Sequence, residues 1–458
     1  MAWTINNGKL YFNSKLYTGN GGTNVVTGVG FNSDFTWIKN RATTGNPALF
    51  DKINGVTKYL NSNNQNGLAT SAPTLTAWSS DGFTIGSSTD LNGNGNGIAS
   101  WNWLAAGATP SNTYVVKVVS DGGNKYRFDD FGTSAVTLEI SEGGTFTFDQ
   151  SDSSNNGHPL RFSTTSDGTH GGGSEYTTGI TVSGTPGQAG AKTVIVVAAS
   201  APTLYYYCTV HSGMGGQANT PITNSFSNFS GTIQSNISPN TTSGFSIVTY
   251  TGTGSNATIG HGLGAAPSMI IVKDLSEDNY DWMVYHQSLG ATKYIRLNLT
   301  SAVSTSTTWQ DTAPTNQVFS VVSNSSDVNK SGNNFLAYCF ANVQGFSKMG
   351  SYVGNGSTNG TFIYTGFRPA FAMFKDTTSA RDWAMLDNKR NTFNVMDKRL
   401  FPNNSDAEND TDILDFTSNG IKLRSTNTSV NVSGNTYIYM AFAENPITSS
   451  TGVPSTAR

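Results

Sequence analysis

Short apolar runs recur along the whole chain, and clusters of glycine, asparagine, aspartate and serine separate them. The runs are about four to six residues long, and many alternate apolar and polar positions, as strands with one buried face do. Helical periodicity with recognisable caps is nowhere sustained over about ten residues, and the nearest candidate, 392–401, is short and ends at Pro402. The pattern therefore predicts an all-β protein of short strands and tight turns.

Three segments carry the same landmarks in the same order, which indicates an internal repeat. Each has an aromatic-led glycine turn, a strand that ends in lysine, and a closing aromatic strand that ends in alanine. The landmarks are Tyr17, Lys39 and Ala105, then Tyr250, Lys273 and Ala341, then Tyr352, Lys375 and Ala443. Tyrosine and lysine are 22, 23 and 23 residues apart, and lysine and alanine 66, 68 and 68. Such agreement predicts three copies of one β-sandwich.

The spacing between the copies locates an insertion. Lys273 and Lys375 are 102 residues apart, whereas Lys39 and Lys273 are 234 apart. The difference of 132 residues falls after Ala105 and before the second copy. The predicted units are repeat 1 (1–107), an insert (108–225), repeat 2 (240–343), repeat 3 (344–447) and a C-terminal tail (448–458).

The insert has its own strand pattern and a group of metal-ligand side chains. Six or seven predicted strands in just over a hundred residues describe a Greek-key sandwich. The loop Cys208-x-x-His211-x-x-Met214 follows one of the last strands, and His158 precedes an earlier one. Two imidazoles, a thiolate and a weak axial thioether are the ligands of a blue-copper site. These four residues are therefore candidate copper ligands.

The insert resembles the cupredoxins, the blue-copper proteins, over roughly residues 110–218. The resemblance rests on His158 before a strand and on Tyr206-Tyr-Cys-x-x-His, and it implies that His158, Cys208, His211 and Met214 bind copper. His170 has no place in that pattern and is expected to be a solvated loop residue. The alternative is a cupredoxin-like sandwich that keeps the ligand set as a hydrogen-bonded end cap without metal.

Composition and charge narrow the function classes. Charged residues are 12% of the chain, where about 25% is usual, and the net charge is −3, so phosphate neutralisation and nucleic-acid binding are not expected. No apolar run approaches about 18 residues, and the N-terminus lacks the features of a signal peptide, so we expect synthesis in a cytoplasm and no membrane insertion. Cys339 lies in an apolar strand and is expected to be a buried, inert thiol.

The copies share polar positions but no recurrent acid–base pair. Asp51, Tyr285 and Asp387 each lie twelve residues past the lysine, whereas His261 and His286 have no counterparts. Trp282 and Trp383 recur near the middle of two copies, which indicates core packing or, alternatively, a sugar-stacking surface. We therefore expect no enzyme, and a carbohydrate-active enzyme is the weakest of the functions considered.

Repeat 3 contains the two most distinctive segments of the repeat, Gly366-Phe-Arg-Pro-Ala-Phe-Ala-Met-Phe-Lys375 and Tyr437-Ile-Tyr-Met-Ala-Phe-Ala443. In these segments the repeat is similar to a domain of virion proteins of tailed bacteriophages, particularly those of marine phages and cyanophages. The resemblance implies a virion structural protein exposed on the particle, either a tail-fibre or tail-associated adhesin for host attachment or a capsid decoration protein. Expected partners are other virion proteins, a symmetric homo-oligomer (a trimer if a fibre), and a host receptor or glycan. The alternative is a copper electron-transfer or redox protein.

Overall fold

The structure, a computed structural model, describes residues 5, 7–107 and 109–444. Within these residues the chain forms 36 strands, one short α-helix (Thr89–Asn92) and three 3₁₀ turns (Gly8–Leu10, Ser153–Asn155 and Gly168–Gly171). The prediction of an all-β chain of sandwiches is confirmed. The predicted tail, 448–458, and the last residues of the predicted repeat 3, 445–447, lie outside the described residues. In the part of the chain that is described, no helix has the length and apolar character needed to cross a membrane.

Repeat 1 contains a six-stranded sheet, ordered β1-β9-β3-β4-β5-β6, and a three-stranded sheet, ordered β2-β8-β7. Its strands are β1 (Phe12–Thr18), β2 (Asn24–Thr27), β3 (Phe35–Asn40), β4 (Ala48–Asp51), β5 (Lys58–Asn61), β6 (Ala69–Thr70), β7 (Leu75–Ser79), β8 (Gly82–Ile85) and β9 (Gly97–Trp103).

The insert contains a five-stranded sheet, ordered β11-β10-β13-β16-β15, and a four-stranded sheet, ordered β12-β18-β17-β14. Its strands are β10 (Ser111–Ser120), β11 (Asn124–Phe128), β12 (Leu138–Glu139), β13 (Thr145–Asp149), β14 (Leu160–Ser163), β15 (Ile180–Ser183), β16 (Lys192–Val196), β17 (Leu204–Cys208) and β18 (Gly216–Asn219).

Repeat 2 contains an eight-stranded sheet, ordered β19-β20-β21-β28-β23-β24-β25-β26, and the pair β22-β27. Its strands are β19 (Phe226–Asn228), β20 (Ser235–Asn240), β21 (Phe245–Thr251), β22 (Ala257–Gly260), β23 (Met269–Asp274), β24 (Met283–His286), β25 (Lys293–Arg296), β26 (Ser304–Thr305), β27 (Val318–Val321) and β28 (Asn334–Phe340). The connecting segment, residues 226–239, thus adds two strands to this sheet.

Repeat 3 contains two four-stranded sheets, ordered β29-β36-β31-β32 and β30-β35-β34-β33. Its strands are β29 (Ser347–Val353), β30 (Phe362–Tyr364), β31 (Pro369–Asp376), β32 (Ala384–Asp387), β33 (Met396–Arg399), β34 (Asn409–Thr417), β35 (Gly420–Leu423) and β36 (Thr436–Ala443). The nearest helical candidate of the sequence, 392–401, contains strand β33 instead.

Strand register shows which positions of the three repeats are equivalent. Asp51 pairs with Phe35, and Asp387 pairs with Phe371 at the same place in repeat 3. In repeat 2 the residue at this place is His286, which pairs with Met269. The β23–β24 hairpin is one residue longer than its counterparts, so counting twelve residues from the lysine pointed to Tyr285 instead. His286 therefore does have counterparts, and the sequence-based expectation was wrong on this point.

The three lysine landmarks connect the repeats. Each lysine is buried, and each Nζ donates to a backbone carbonyl in the neighbouring repeat. The bonds run from Lys39 to Asn404 (3.0 Å), from Lys273 to Gln65 (3.2 Å) and from Lys375 to Thr300 (2.9 Å). Repeat 1 therefore contacts repeat 3, repeat 2 contacts repeat 1, and repeat 3 contacts repeat 2. The repeats form a closed ring.

Two further contacts repeat in the same cyclic order. In each interface a backbone N–H donates to the carbonyl two residues past the lysine: Leu68 to Leu275 (2.9 Å), Val303 to Thr377 (3.1 Å) and Glu408 to Arg41 (2.9 Å). The Asp51, His286 and Asp387 side chains meet Tyr338 Oη (2.9 Å), the Tyr439 carbonyl (3.2 Å) and Trp101 Nε1 (3.1 Å). Burial lowers the pKa of each lysine to about 8.

One aromatic core is shared by all three repeats. The Trp103 ring of repeat 1 lies 6.2 Å from Phe340 of repeat 2 and 5.7 Å from Phe442 of repeat 3. Trp282 and Trp383 are buried as well, and their indole N–H groups donate to Asn61 O and Arg296 O of the preceding repeat. These tryptophans therefore pack the ring and expose no stacking face.

The insert is attached to the ring at both of its ends. The Asp34 carboxylate of repeat 1 accepts hydrogen bonds from the Ala105 and Gly107 backbone N–H groups before the insert and from the Asn224 side chain after it. Phe226 and Phe229 of the connecting segment pack on aromatic rings of the insert at centroid distances of 5.2–6.0 Å. These contacts fix the insert beside repeats 1 and 2.

Candidate metal centre

The candidate ligands meet at one end of the insert because of strand pairing. Strands β14 and β17 are antiparallel, and Leu160 pairs with Cys208. His158 lies two residues before Leu160 and so reaches the end of the sheet where Cys208 lies. After Cys208 the chain forms a short loop that carries His211 and Met214, and it returns as β18.

The structure brings three of the four predicted ligands together. Cys208 Sγ lies 3.9 Å from His158 Nδ1 and 3.8 Å from His211 Nδ1, and the three donor atoms are all within 4.8 Å of one another. Cys208 is fully buried, His158 is half-buried and His211 is exposed. Met214, the fourth, is buried in the same apolar cluster as Cys208.

The distances suit a bound cation. An ion about 2.3 Å from a thiolate sulfur and about 2.0 Å from an imidazole nitrogen holds the two donors roughly 3.6–3.8 Å apart. Without a cation, the same distances fit a hydrogen-bonded cluster, in which the Cys208 S–H donates to one imidazole and the Nδ1–H of the other imidazole donates to the sulfur. A bound cation is one of the two arrangements that fit these distances, and the soft donor set suits copper or zinc.

Buried polar groups hold His158 in place. Its carbonyl accepts hydrogen bonds from the Tyr126 hydroxyl (2.9 Å) and the Gln150 side chain (2.8 Å), and the same Gln150 accepts from the Leu160 N–H (3.1 Å). Partial burial and the neighbouring His211 lower the pKa of His158. The neutral imidazole, which is the form that binds a metal, is thereby favoured.

The turn at residues 167–171 contacts the ligand loop, although the sequence did not assign this turn to the site. His170 Nε2–H donates to the Cys208 carbonyl (3.0 Å), and the Asp167 carboxylate accepts from the Gly213 N–H (2.8 Å). On its other side the loop is held by Lys125, whose ammonium binds the Gly213 carbonyl. His170 is exposed, as expected, but it is also a contact of the site.

One glycine of this turn could have indicated the contact from the sequence. Gly168 has a φ of +56°, and a Cβ there would come within 2.5 Å of the Tyr207 ring. Only glycine allows so close an approach of the turn to the strand before Cys208.

A family model described as a domain of unknown function, DUF7483, matches residues 7–122 and 219–446. The chain belongs to the DUF7483 family. The comparisons found no match among curated proteins or solved structures. The DUF7483 match covers most of the three repeats and leaves out 123–218, the stretch that carries all four candidate ligands.

The other histidines and the second cysteine lie in the DUF7483 part of the chain and away from the cluster. His261 and His286 are buried and bonded to backbone carbonyls, and burial lowers the pKa of each to about 4. Burial raises the pKa of the Cys339 thiol. These groups are neutral at physiological pH and have structural roles.

Proposed function

We propose that this DUF7483 chain is a structural protein of a tailed-bacteriophage virion, exposed on the particle as a tail-associated adhesin or a capsid decoration protein. The resemblance of the repeats to such proteins suggests the setting. The observation that carries the proposal is the closed ring: three copies use the same buried lysine and backbone contacts in cyclic order. A chain built this way is a rigid symmetric unit, and its loops are free to vary for recognition.

The test is localisation on particles. Immunogold electron microscopy with an antibody against the chain should label intact virions at repeated positions, and mass spectrometry of purified particles should find the chain in constant copy number. An antibody against a non-structural protein of the same phage serves as the control. Label on lysate debris alone would remove the proposal.

A second function, copper binding by a cupredoxin-like insert, is favoured by the His158–Cys208–His211 cluster. Copper at this place would supply a one-electron redox centre. The chain's own part would be to offer two Nδ1 atoms and a thiolate and to keep His158 neutral, with Met214 buried on the same loop as His211. This function is compatible with a place on a virion.

The second function has a matched control within the chain. Adding Cu(II) to the purified protein should give an intense visible absorption, and Cys208→Ala should abolish it. Cys339→Ala removes the other cysteine, which is buried in the ring, and should leave the absorption unchanged. A colourless protein that retains no copper on gel filtration would end this proposal.

A further inference from the structure

A groove of about 730 Å³ lies where repeat 1, the connecting segment and repeat 2 meet. Its apolar part is formed by Ile53, Leu68 and Leu275, which are half-buried and pack against the shared core. The connecting segment contributes residues 233–236 on one side. Its volume is in the range of sites that bind small molecules.

The ring provides an internal comparison for these three positions. At the interface of repeats 2 and 3 the equivalent residues are Ser288, Val303 and Thr377, and at the interface of repeats 3 and 1 they are Lys389, Glu408 and Arg41. The backbone contact through these positions is the same in all three interfaces. At the interface of repeats 3 and 1, Arg41 and Glu408 form an ion pair, so the ring accepts charged residues at these positions, whereas the groove between repeats 1 and 2 has only apolar ones.

The groove has no charge to offer a ligand. Each described residue that lines it is uncharged, and amide or hydroxyl side chains lie beside the apolar part: Asn54, Gln234, Asn236, Thr249, Ser276 and Asn334. The Asn334 side chain is exposed and is therefore within reach of a ligand in the groove.

We propose that this groove binds a neutral carbohydrate. A hexose has an apolar C–H face, which suits Ile53, Leu68 and Leu275, and hydroxyl groups around it, which suit the amide and hydroxyl side chains of the lining. An anionic glycan or a nucleotide finds no cation in the lining. Carbohydrate binding assigns a class of ligand to the surface protein proposed above. Its biological purpose rests on that proposed function.

The test is glycan binding by the full purified chain. On an array of neutral and acidic oligosaccharides the chain should bind neutral ones, and the strongest should be titrated by calorimetry. Ile53→Lys places a charge in the groove and should weaken binding at least tenfold. Asn334→Ala removes an exposed amide of the lining and should weaken binding several-fold.

The control is Ser288→Lys, the same substitution at the exposed equivalent position of repeat 2. Lysine occurs naturally there in repeat 3, as Lys389, so the fold accepts it, and binding should not change. The carbohydrate assignment is overturned if no neutral glycan binds, if only acidic glycans bind, or if Ile53→Lys and Ser288→Lys act alike. A peptide selected from a random library that binds with the same dependence on Ile53 would assign the groove to a protein partner instead. Because purified protein is used, the result is independent of where the chain is found on particles.

Discussion

The ring and the insert both bury groups that carry charge or bind metals, but they hold these groups in different ways. In the ring the ammonium of Lys375 donates to three backbone carbonyls at 2.8–3.0 Å, and the buried Asp387 and Arg390 form an ion pair at 2.6 Å. In the insert, the Cys208 sulfur lies 3.8–3.9 Å from the Nδ1 atoms of two imidazoles. The ring holds these charges with hydrogen bonds and an ion pair from its own chain, whereas the insert brings together a set of donors that suits a cation.

The largest expected effect is the loss of the buried Arg390 cation of repeat 3, which lies 5.6 Å from the Trp101 ring of repeat 1. Arg390 also binds Glu408 and the Met385 carbonyl, so Arg390→Met leaves the Asp387 carboxylate buried and uncompensated. We expect a loss of about 3–5 kcal/mol in the free energy of unfolding. All eight tryptophans lie outside the insert, so urea unfolding followed by tryptophan fluorescence measures the ring.

The matched change is Arg424→Met, which breaks the more exposed pair with Asp415 and should cost about 1 kcal/mol or less. Equal losses for the two variants would contradict the role given to the buried pair.

The next effect belongs to the insert alone. A metal that binds the folded cluster at a free concentration of about 100 times its Kd should stabilise the insert by about 2.7 kcal/mol. Hydrogen exchange in strands β14 and β17 should slow when Cu(II) is added, and exchange in β31 and β36 should not. His158→Ala should remove the protection. Uniform slowing over both regions would show that the ring and the insert are one cooperative unit.

The ring should become more stable as the pH rises from about 8 toward 10. The folded pKa of each buried lysine is about 8, and that of an unfolded lysine is about 10.4, so in this window the unfolded state binds more protons. The free energy of unfolding therefore increases with pH there. Urea midpoints from tryptophan fluorescence at pH 7.5 and 9.5 measure the change, and Lys375→Met should reduce it by about a third. A midpoint that falls over this range contradicts the assignment.

The smallest effect concerns the turn that holds the ligand loop. His170→Ala removes one exposed hydrogen bond to the Cys208 carbonyl and should destabilise the insert by roughly 0.5–1.5 kcal/mol. It should also shift the energy of the copper–thiolate absorption, because the orientation of Cys208 changes. Thr169→Ala, the neighbouring exposed residue, is the control. An unchanged absorption would limit His170 to a contribution to stability.

The sequence was informative where a contact is made by recognisable side chains. The repeat, the insertion and the His158–Cys208–His211 cluster all followed from residue types at fixed spacings. The lysine was found as a landmark, but its role was not, because its partners are backbone carbonyls of Asn404, Gln65 and Thr300 that any residue could supply. The contact of His170 with the site was not predicted for the same reason, since His170 binds the carbonyl of Cys208 and not its sulfur.

The register of the strands was the other feature that could not be predicted from the sequence. His286 was assigned no counterpart because one additional residue in the β23–β24 hairpin displaced the count by one. Pairing across the strands, which the sequence does not contain, placed it beside Asp51 and Asp387 in the ring.

The closed ring also has a consequence for how the protein is made. Lys39 donates to the Asn404 carbonyl, which lies 365 residues further along the chain. At about 5–20 residues per second, a ribosome needs roughly 20–70 s to reach that residue. During this time Trp101 and Trp103 lack the partners from repeat 3 that cover them, so the nascent chain exposes part of its largest apolar surface. Chains that end early keep that surface, and we expect truncated products to aggregate or to be captured by chaperones.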